Sequence, residues 1–116
     1  MLAVSVVGGD SSDQVSLQLV LDHLVFGRGA TESVSAPHCS TQHCISSFAQ
    51  APPKLGSLTI EAGVGQRAVS ELRRLGHLVE VIDGTLVGQS VLVFNPVSGV
   101  IEAAGDPRTG RHAAAY

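Results

Sequence analysis

Two stretches of this sequence carry residue types able to do chemistry. The first is Gly8-Gly9, preceded by the apolar run Leu2–Val7 and followed by Asp10-Ser11-Ser12-Asp13-Gln14. A strand that ends in paired glycines at a helix start leaves bare backbone N–H groups at a sharp turn. They aim the same way as the first helical turn, and such a turn can hold negative charge. The residue types do not choose between a phosphate, a carboxylate and the oxyanion of acyl transfer. Nor do they separate any of these from a tight turn that needs positive φ. Two familiar loops are excluded. No Gly-Lys-Ser/Thr follows, and the third glycine of the dinucleotide fingerprint is missing.

The second stretch is His38-Cys39-Ser40-Thr41-Gln42-His43-Cys44. His38, Cys39, His43 and Cys44 are the right ligand types for zinc. Each His-Cys pair is adjacent, however, and neighbouring side chains in extended backbone point opposite ways. The loop therefore reads as a polar loop, with a metal site and a redox pair as the alternatives. His23 reads as a hydrogen-bonded histidine of a core or interface rather than a base. Ser11 and Ser12 have no base and orienting acid at recognisable positions, so capping is their expected role. Asp106-Pro107-Arg108 reads as a turn with an exposed arginine.

The elements that position these residues follow from periodicity. Leu2–Val7 is expected to be a buried strand. A helix is expected from about Asp13 to Phe26, with Ser11 and Gln14 at capping-box spacing and Gly27 as its stop. Its apolar residues cover most of the circumference, which predicts burial on more than one side. Ala30 to Ser35 reads as a short helix with Thr31 as its cap, closed by Pro37. Residues 37 to 53 read as a loop with an extended piece at Cys44 to Phe48. Ser57 to Glu61 alternates as a strand, Gln66 to Leu75 is an amphipathic helix capped by Gly76, and His77 to Ile82 is a strand. Ser90 to Phe94 and Val100 to Ala104 pair through a hairpin turn at Asn95 to Gly99, and the tail from Gly105 is irregular. The order predicts an α+β fold, with helices packed on a mostly antiparallel sheet in a single domain over residues 1–116.

Composition narrows the function. Of 116 residues, 44% are apolar, only 15% are charged, and the formal charge is -3. With no basic stripe and no stacking aromatics, nucleic acid is not an expected partner. The apolar runs are too short to span a bilayer, and no basic segment leads a signal peptide. No membrane partner is expected, and a cytoplasmic setting is. Two cysteines do not define a redox compartment. The apolar surplus suggests surface meant to face another chain segment. No cofactor is expected.

Taken in order, the residues resemble a known family. Leu2 to Asp10, the leucine-rich helix ending Phe26-Gly27, Ala36-Pro37 and Arg74-Leu75-Gly76-His77-Leu78-Val79 carry the likeness. So does the ending Ala103-Ala104-Gly105-Asp106-Pro107-Arg108 to Ala113-Ala114-Ala115-Tyr116. Together they are similar to the light subunit of the γ-glutamyltranspeptidase family, which includes glutathione hydrolases and cephalosporin acylases. The resemblance implies part of an N-terminal-nucleophile hydrolase, an α-β-β-α sandwich formed by self-cleavage. It implies a nucleophilic Thr at the start of the light subunit, with its own amino group as base. It also assigns Gly8 and Gly9 as the oxyanion-hole N–H donors.

The departures define the expectation. In the family the catalytic Thr, the strands after it and the Ser-Ser pair that grips the substrate carboxylate would lie before residue 1. Thr31, Thr41, Thr59, Thr85 and Thr109 lie in the wrong places. The family's Ala-Pro-Arg stands here as Ala36-Pro37-His38. The expected protein is the C-terminal part of such a light subunit, inert by itself. Its expected partners are the missing light-subunit segment and the large subunit, or a second copy. A γ-glutamyl or related acyl amide would be a substrate only of the complete enzyme. The rival is a small binding module, with a metal at His38, Cys39, His43 and Cys44 or an anion at Gly8-Gly9.

Overall fold

The computed structural model describes residues 1–47, 51–94 and 98–114. The chain forms two compact units. One holds Met1–Ala36 and Val87–Tyr116, the other Pro37–Leu86. Both mix helices with a small sheet, as an α+β class requires.

In the first unit, β1 (Leu2–Val7), β5 (Gly88–Phe94) and β6 (Ile101–Gly105) form an antiparallel sheet in the order β1-β5-β6. Helix α1 (Gly9–Leu24) packs on β1, and α2 (Ala30–Ser35) packs on β5 and β6. Along β1, Leu2, Val4 and Val6 are half-covered while Ala3, Ser5 and Val7 are exposed. The strand is thus covered on one face only, and it lies at the edge of its sheet. That corrects the expected fully buried strand. The continuous apolar run supplies two apolar faces, but the described residues of this unit cover just one.

Helix α1 begins four residues earlier than expected and ends at Leu24, two residues before Phe26. Ser11 is not its cap. Gly8 is the N-cap, and the Ser12 hydroxyl donates back to the Gly9 carbonyl at 2.7 Å. The positive φ of both glycines lets the chain turn directly from strand into helix. Val15 and Leu19 are fully buried, while Leu17, Leu21 and Leu24 are exposed. So this helix too is covered on one side, where its all-round apolar pattern predicts more.

Gly29, not Thr31, caps α2. The Gly29 N–H donates to Glu32 Oε2 at 3.1 Å, the reciprocal half of a capping box, and Glu102 Oε2 accepts the Ala30 N–H at 3.3 Å. The helix ends at Ser35, and its C-cap Ala36 lies in extended backbone just before Pro37.

In the second unit, β2 (Cys39–Ser40) pairs antiparallel with β3 (Ser57–Glu61). β3 pairs parallel with β4 (Leu78–Ile82) through the crossover helix α3 (Gln66–Arg74). This is the parallel pairing among the described strands; the β1-β5, β5-β6 and β2-β3 pairings are antiparallel, as a mostly antiparallel reading expects. Helix α3 ends in a Schellman motif. His77 N–H donates to the Leu72 carbonyl at 3.1 Å and Gly76 N–H to Arg73 at 3.0 Å, with Gly76 at φ +96. Val69 is its buried residue, and Ile60 of β3 is buried as well.

Residues 44–47 form no strand, and Phe48 lies outside the described residues. The extended piece is Cys39–Ser40 instead, too short for a periodicity to reveal. The hairpin residues Asn95, Pro96 and Val97 also lie outside the description, but β5 and β6 do pair antiparallel, Phe94 facing Ile101. The tail is not wholly irregular, since Pro107–Thr109 forms a 3-10 turn.

Candidate active-site turn at Gly8-Gly9

The turn is built from backbone. β1 ends at Val7, which stands opposite Gly88 in the sheet. Gly8 has φ 151 and ψ 49, and Gly9 has φ 49. A Cβ on Gly8 would collide with Val87 Cγ1, which is buried. Gly8 is therefore required twice, by its dihedral and by the close approach of Val87. Gly9 is required by dihedral alone, as nothing lies within 4 Å of a Cβ there. The Gly9 N–H opens α1 with no acceptor within the helix, the Ser11 N–H donates to the Gly8 carbonyl at 3.1 Å, and Gly8, Gly9 and Asp10 are all exposed. Buried Val15 and Leu19 hold the helix behind the turn. The arrangement can present backbone N–H groups to an oxygen bearing negative charge.

The same unit holds a second polar device. Asp106 is fully buried at the end of β6. Its Oδ1 accepts Arg108 Nε at 2.9 Å and its Oδ2 accepts Arg108 Nη2 at 2.9 Å, a bidentate pair. Arg108 Nη2 also donates to the Val34 carbonyl of α2 at 3.1 Å. The arginine is exposed, as the sequence suggests, yet it is not free. It ties the 3-10 turn to α2.

His23 is half-buried, and its Nδ1 lies 3.0 Å from the Arg28 carbonyl, to which it donates. Arg28 in turn pairs with Asp22 at 2.8 Å. This is the hydrogen-bonded role expected of His23. Ser11 and Ser12 are partly covered at the start of α1.

The His/Cys loop of the second unit is scattered. His38 is 2% exposed and turned to Glu61, with Nδ1 and Oε2 4.0 Å apart. Glu61 is fully buried. Its Oε2 accepts the His38 N–H at 3.3 Å and its Oε1 accepts the Leu86 N–H at 2.8 Å. Cys39 is half-covered, and burial raises its thiol pKa above the ordinary value. His43 is exposed, and its Nδ1 accepts the Gly56 N–H at 2.9 Å, so a neutral ring carries its proton on Nε2. Cys44 is exposed. Among the described residues, no three His, Cys, Asp or Glu side chains group as a metal site would need. Glu61 was not singled out from sequence. Its only signal is a carboxylate at the end of β3, on the Ser57-Thr59-Glu61 face that the alternation assigns to solvent.

Comparison with known proteins gives the chain its family. The gamma-glutamyltranspeptidase family model matches residues 1–116. The chain belongs to the gamma-glutamyltranspeptidase family. It is 29% identical over 112 residues to the oxamate amidohydrolase proenzyme of Klebsiella pneumoniae, spanning 95% of this chain and 20% of that protein. Among solved structures, LmbA2991HD superposes with a TM-score of 0.80 at 29% identity, over 92% of this chain and 20% of the other. An acivicin-inhibited gamma-glutamyltranspeptidase superposes with a TM-score of 0.76 at 21% identity, over 95% of this chain and 54% of the other. The chain thus spans about a fifth of the length of the curated relative it matches. In this transpeptidase-family chain, the α+β architecture is that of the corresponding part of the solved transpeptidase.

Proposed function

We propose that the chain is the C-terminal part of a γ-glutamyltranspeptidase-type light subunit, and that Gly8 and Gly9 supply N–H groups to the oxyanion hole of acyl transfer. One observation carries this reading. Two consecutive positive-φ glycines join the first strand to the first helix in a chain that the family model matches from end to end. When a nucleophile adds to an amide carbonyl, charge develops on the oxygen, and fixed N–H donors stabilise it without reorganising.

By itself the chain is inert in this reading. An oxyanion hole lowers a barrier only when a nucleophile attacks, and no Thr of this chain stands beside the turn in the sequence. The nucleophilic Thr and the large subunit's own substrate-binding arginine come from the rest of the enzyme. The open edge of β1 and the exposed Leu17, Leu21 and Leu24 of α1 suit further light-subunit and large-subunit segments.

The test is hydrolysis of a γ-glutamyl anilide and of oxamate by the 116 residues alone, and by the same residues joined to a Thr-initiated light subunit and its large subunit. The expected result is turnover in the joined enzyme only, lost when Gly8 is replaced. Turnover by the 116 residues alone refutes the claim that they are inert. Full activity of a folded Gly8 variant in the joined enzyme refutes the oxyanion role.

A further inference from the structure

After β6 the chain doubles back over its own sheet. The Asp106 carbonyl accepts the N–H of Thr109 at 3.3 Å and of Arg111 at 3.1 Å, and Gly110 at φ 67 completes the reversal. The returning segment lies so close to the sheet that a Cβ on Gly105 would collide with the Arg111 carbonyl. A Cβ on Gly88 would stand 3.1 Å from Arg111 Nε and 3.5 Å from its Cγ. The register fixes what this means. Gly105 faces Ser90, and Gly88 faces Val7. Directly paired residues share a face, as do residues two apart on one strand. Gly105, Gly88 and Val7 therefore lie on one face, side by side across β6, β5 and β1.

The Arg111 backbone thus sits over β6, and its side chain reaches over β5 at Gly88. It reaches the neighbour of Val7, the residue just before Gly8. Gly105 and Gly88 are the two positions where a side chain would block that path. Arg111 is half-buried, and no carboxylate among the described residues pairs with its guanidinium. The cation is partly desolvated, and its planar fork matches a carboxylate.

We propose that Arg111 is a specificity-determining residue of the Gly8-Gly9 site, receiving the carboxylate of an anionic acyl amide whose carbonyl oxygen faces the turn. The inference rests on the oxyanion reading of Gly8 and Gly9. It makes the C-terminal segment part of substrate selection as well as of the fold.

The test is a titration of the isotopically labelled 116-residue chain with oxamate, and with oxamide as its neutral counterpart, read by NMR. Oxamate is expected to shift the Arg111 Nε–H resonance together with the Gly8 and Gly9 amides, and oxamide to shift none of them. Arg111→Gln is expected to weaken oxamate binding at least tenfold, and Arg111→Lys to keep part of it. The wild-type titration needs no variant to fold, and a dispersed amide spectrum checks each variant. If Gly8 and Gly9 shift while Arg111 Nε–H does not, or the Gln variant binds as well as wild type, the Arg111 proposal falls and the oxyanion reading stands. A shift at Arg111 without one at the glycines overturns the shared site and tells against the oxyanion reading. No shift at any of the three overturns the proposal.

Discussion

The Gly8-Gly9 turn and the His38–Cys44 loop are the two stretches whose residue types invite chemistry, and the structure treats them in opposite ways. The turn has no reactive side chain, yet its backbone is held in dihedrals that only glycine adopts readily, with Val87 pressed against it. The loop has four reactive side chains, yet they do not converge. His38 turns inward to Glu61, His43 accepts a backbone N–H, Cys39 is half-covered and Cys44 faces solvent. A site is a convergence of groups held in place. Constrained backbone is better evidence of one than a run of ligand types whose atoms are committed elsewhere.

Breaking the turn should give the largest effect. Gly8→Ala adds a Cβ that collides with Val87 and holds a non-glycine residue at positive φ. The two costs together come to about 3 kcal/mol. Adding Val87→Ala should return the steric part and leave the dihedral part. Gly9→Ala, with open space around its Cβ, should cost only about 1 kcal/mol. Chemical denaturation of the three variants measures this order. A Gly8→Ala protein as stable as wild type would show that Val87 yields freely and the turn is not constrained.

Much of this was legible in the sequence, and the losses have physical causes. The strand, the paired glycines and the leucine-rich helix were readable because local periodicity and turn chemistry agree there. The start of α1 was misplaced because Ser11 and Gln14 imitate a capping box, while two positive-φ glycines let the helix begin before them. The burial of β1 and α1 was overestimated because an apolar pattern records every surface that will be covered. It does not say which covering segment lies within these residues. β2 was missed because two residues make no period. The parallel pairing of β3 with β4 is a tertiary choice, made possible by the α3 crossover, that neither strand states alone. Within the site, the glycines could be named, but Val87 and Arg111 could not. Their places depend on sheet register and on the reversal after Asp106, both long-range.

The next effect belongs to the loop region and sharpens the contrast from the other side. Glu61 gives one oxygen to each of two backbone N–H groups 48 residues apart, those of His38 and Leu86. Glu61→Ala leaves the buried His38 N–H and the part-buried Leu86 N–H without that acceptor and should cost about 2 to 3 kcal/mol. Glu61→Gln keeps one oxygen of the same shape and should cost about half as much. Thermal unfolding of the two variants checks this. If the Ala variant is no less stable than the Gln variant, Glu61 is not the clasp of this unit. If Glu61→Ala creates a tight zinc site at His38 and Cys39, the loop is held from metal only by its carboxylate.

The smallest effect is kinetic and tests whether the loop's two thiols share a site. Thiolate is the reactive form, so a thiol whose pKa is raised reacts more slowly at neutral pH. Burial raises Cys39 and half-covers its sulfur, while Cys44 is exposed. Iodoacetamide at pH 7 should therefore label Cys44 first, with Cys39 slower by roughly an order of magnitude. The sign for stability follows from the same shift. The folded state favours the protonated Cys39, so stability is unaffected below the unfolded thiol pKa and falls as pH rises through it. The fall should disappear in Cys39→Ser and persist in Cys44→Ser. Mass spectrometry of the labelled peptides reads the order of reaction. Equal rates, or zinc that protects both thiols together in the native chain, would mean that the two cysteines do converge, and the contrast between the built turn and the scattered loop would fail at the loop.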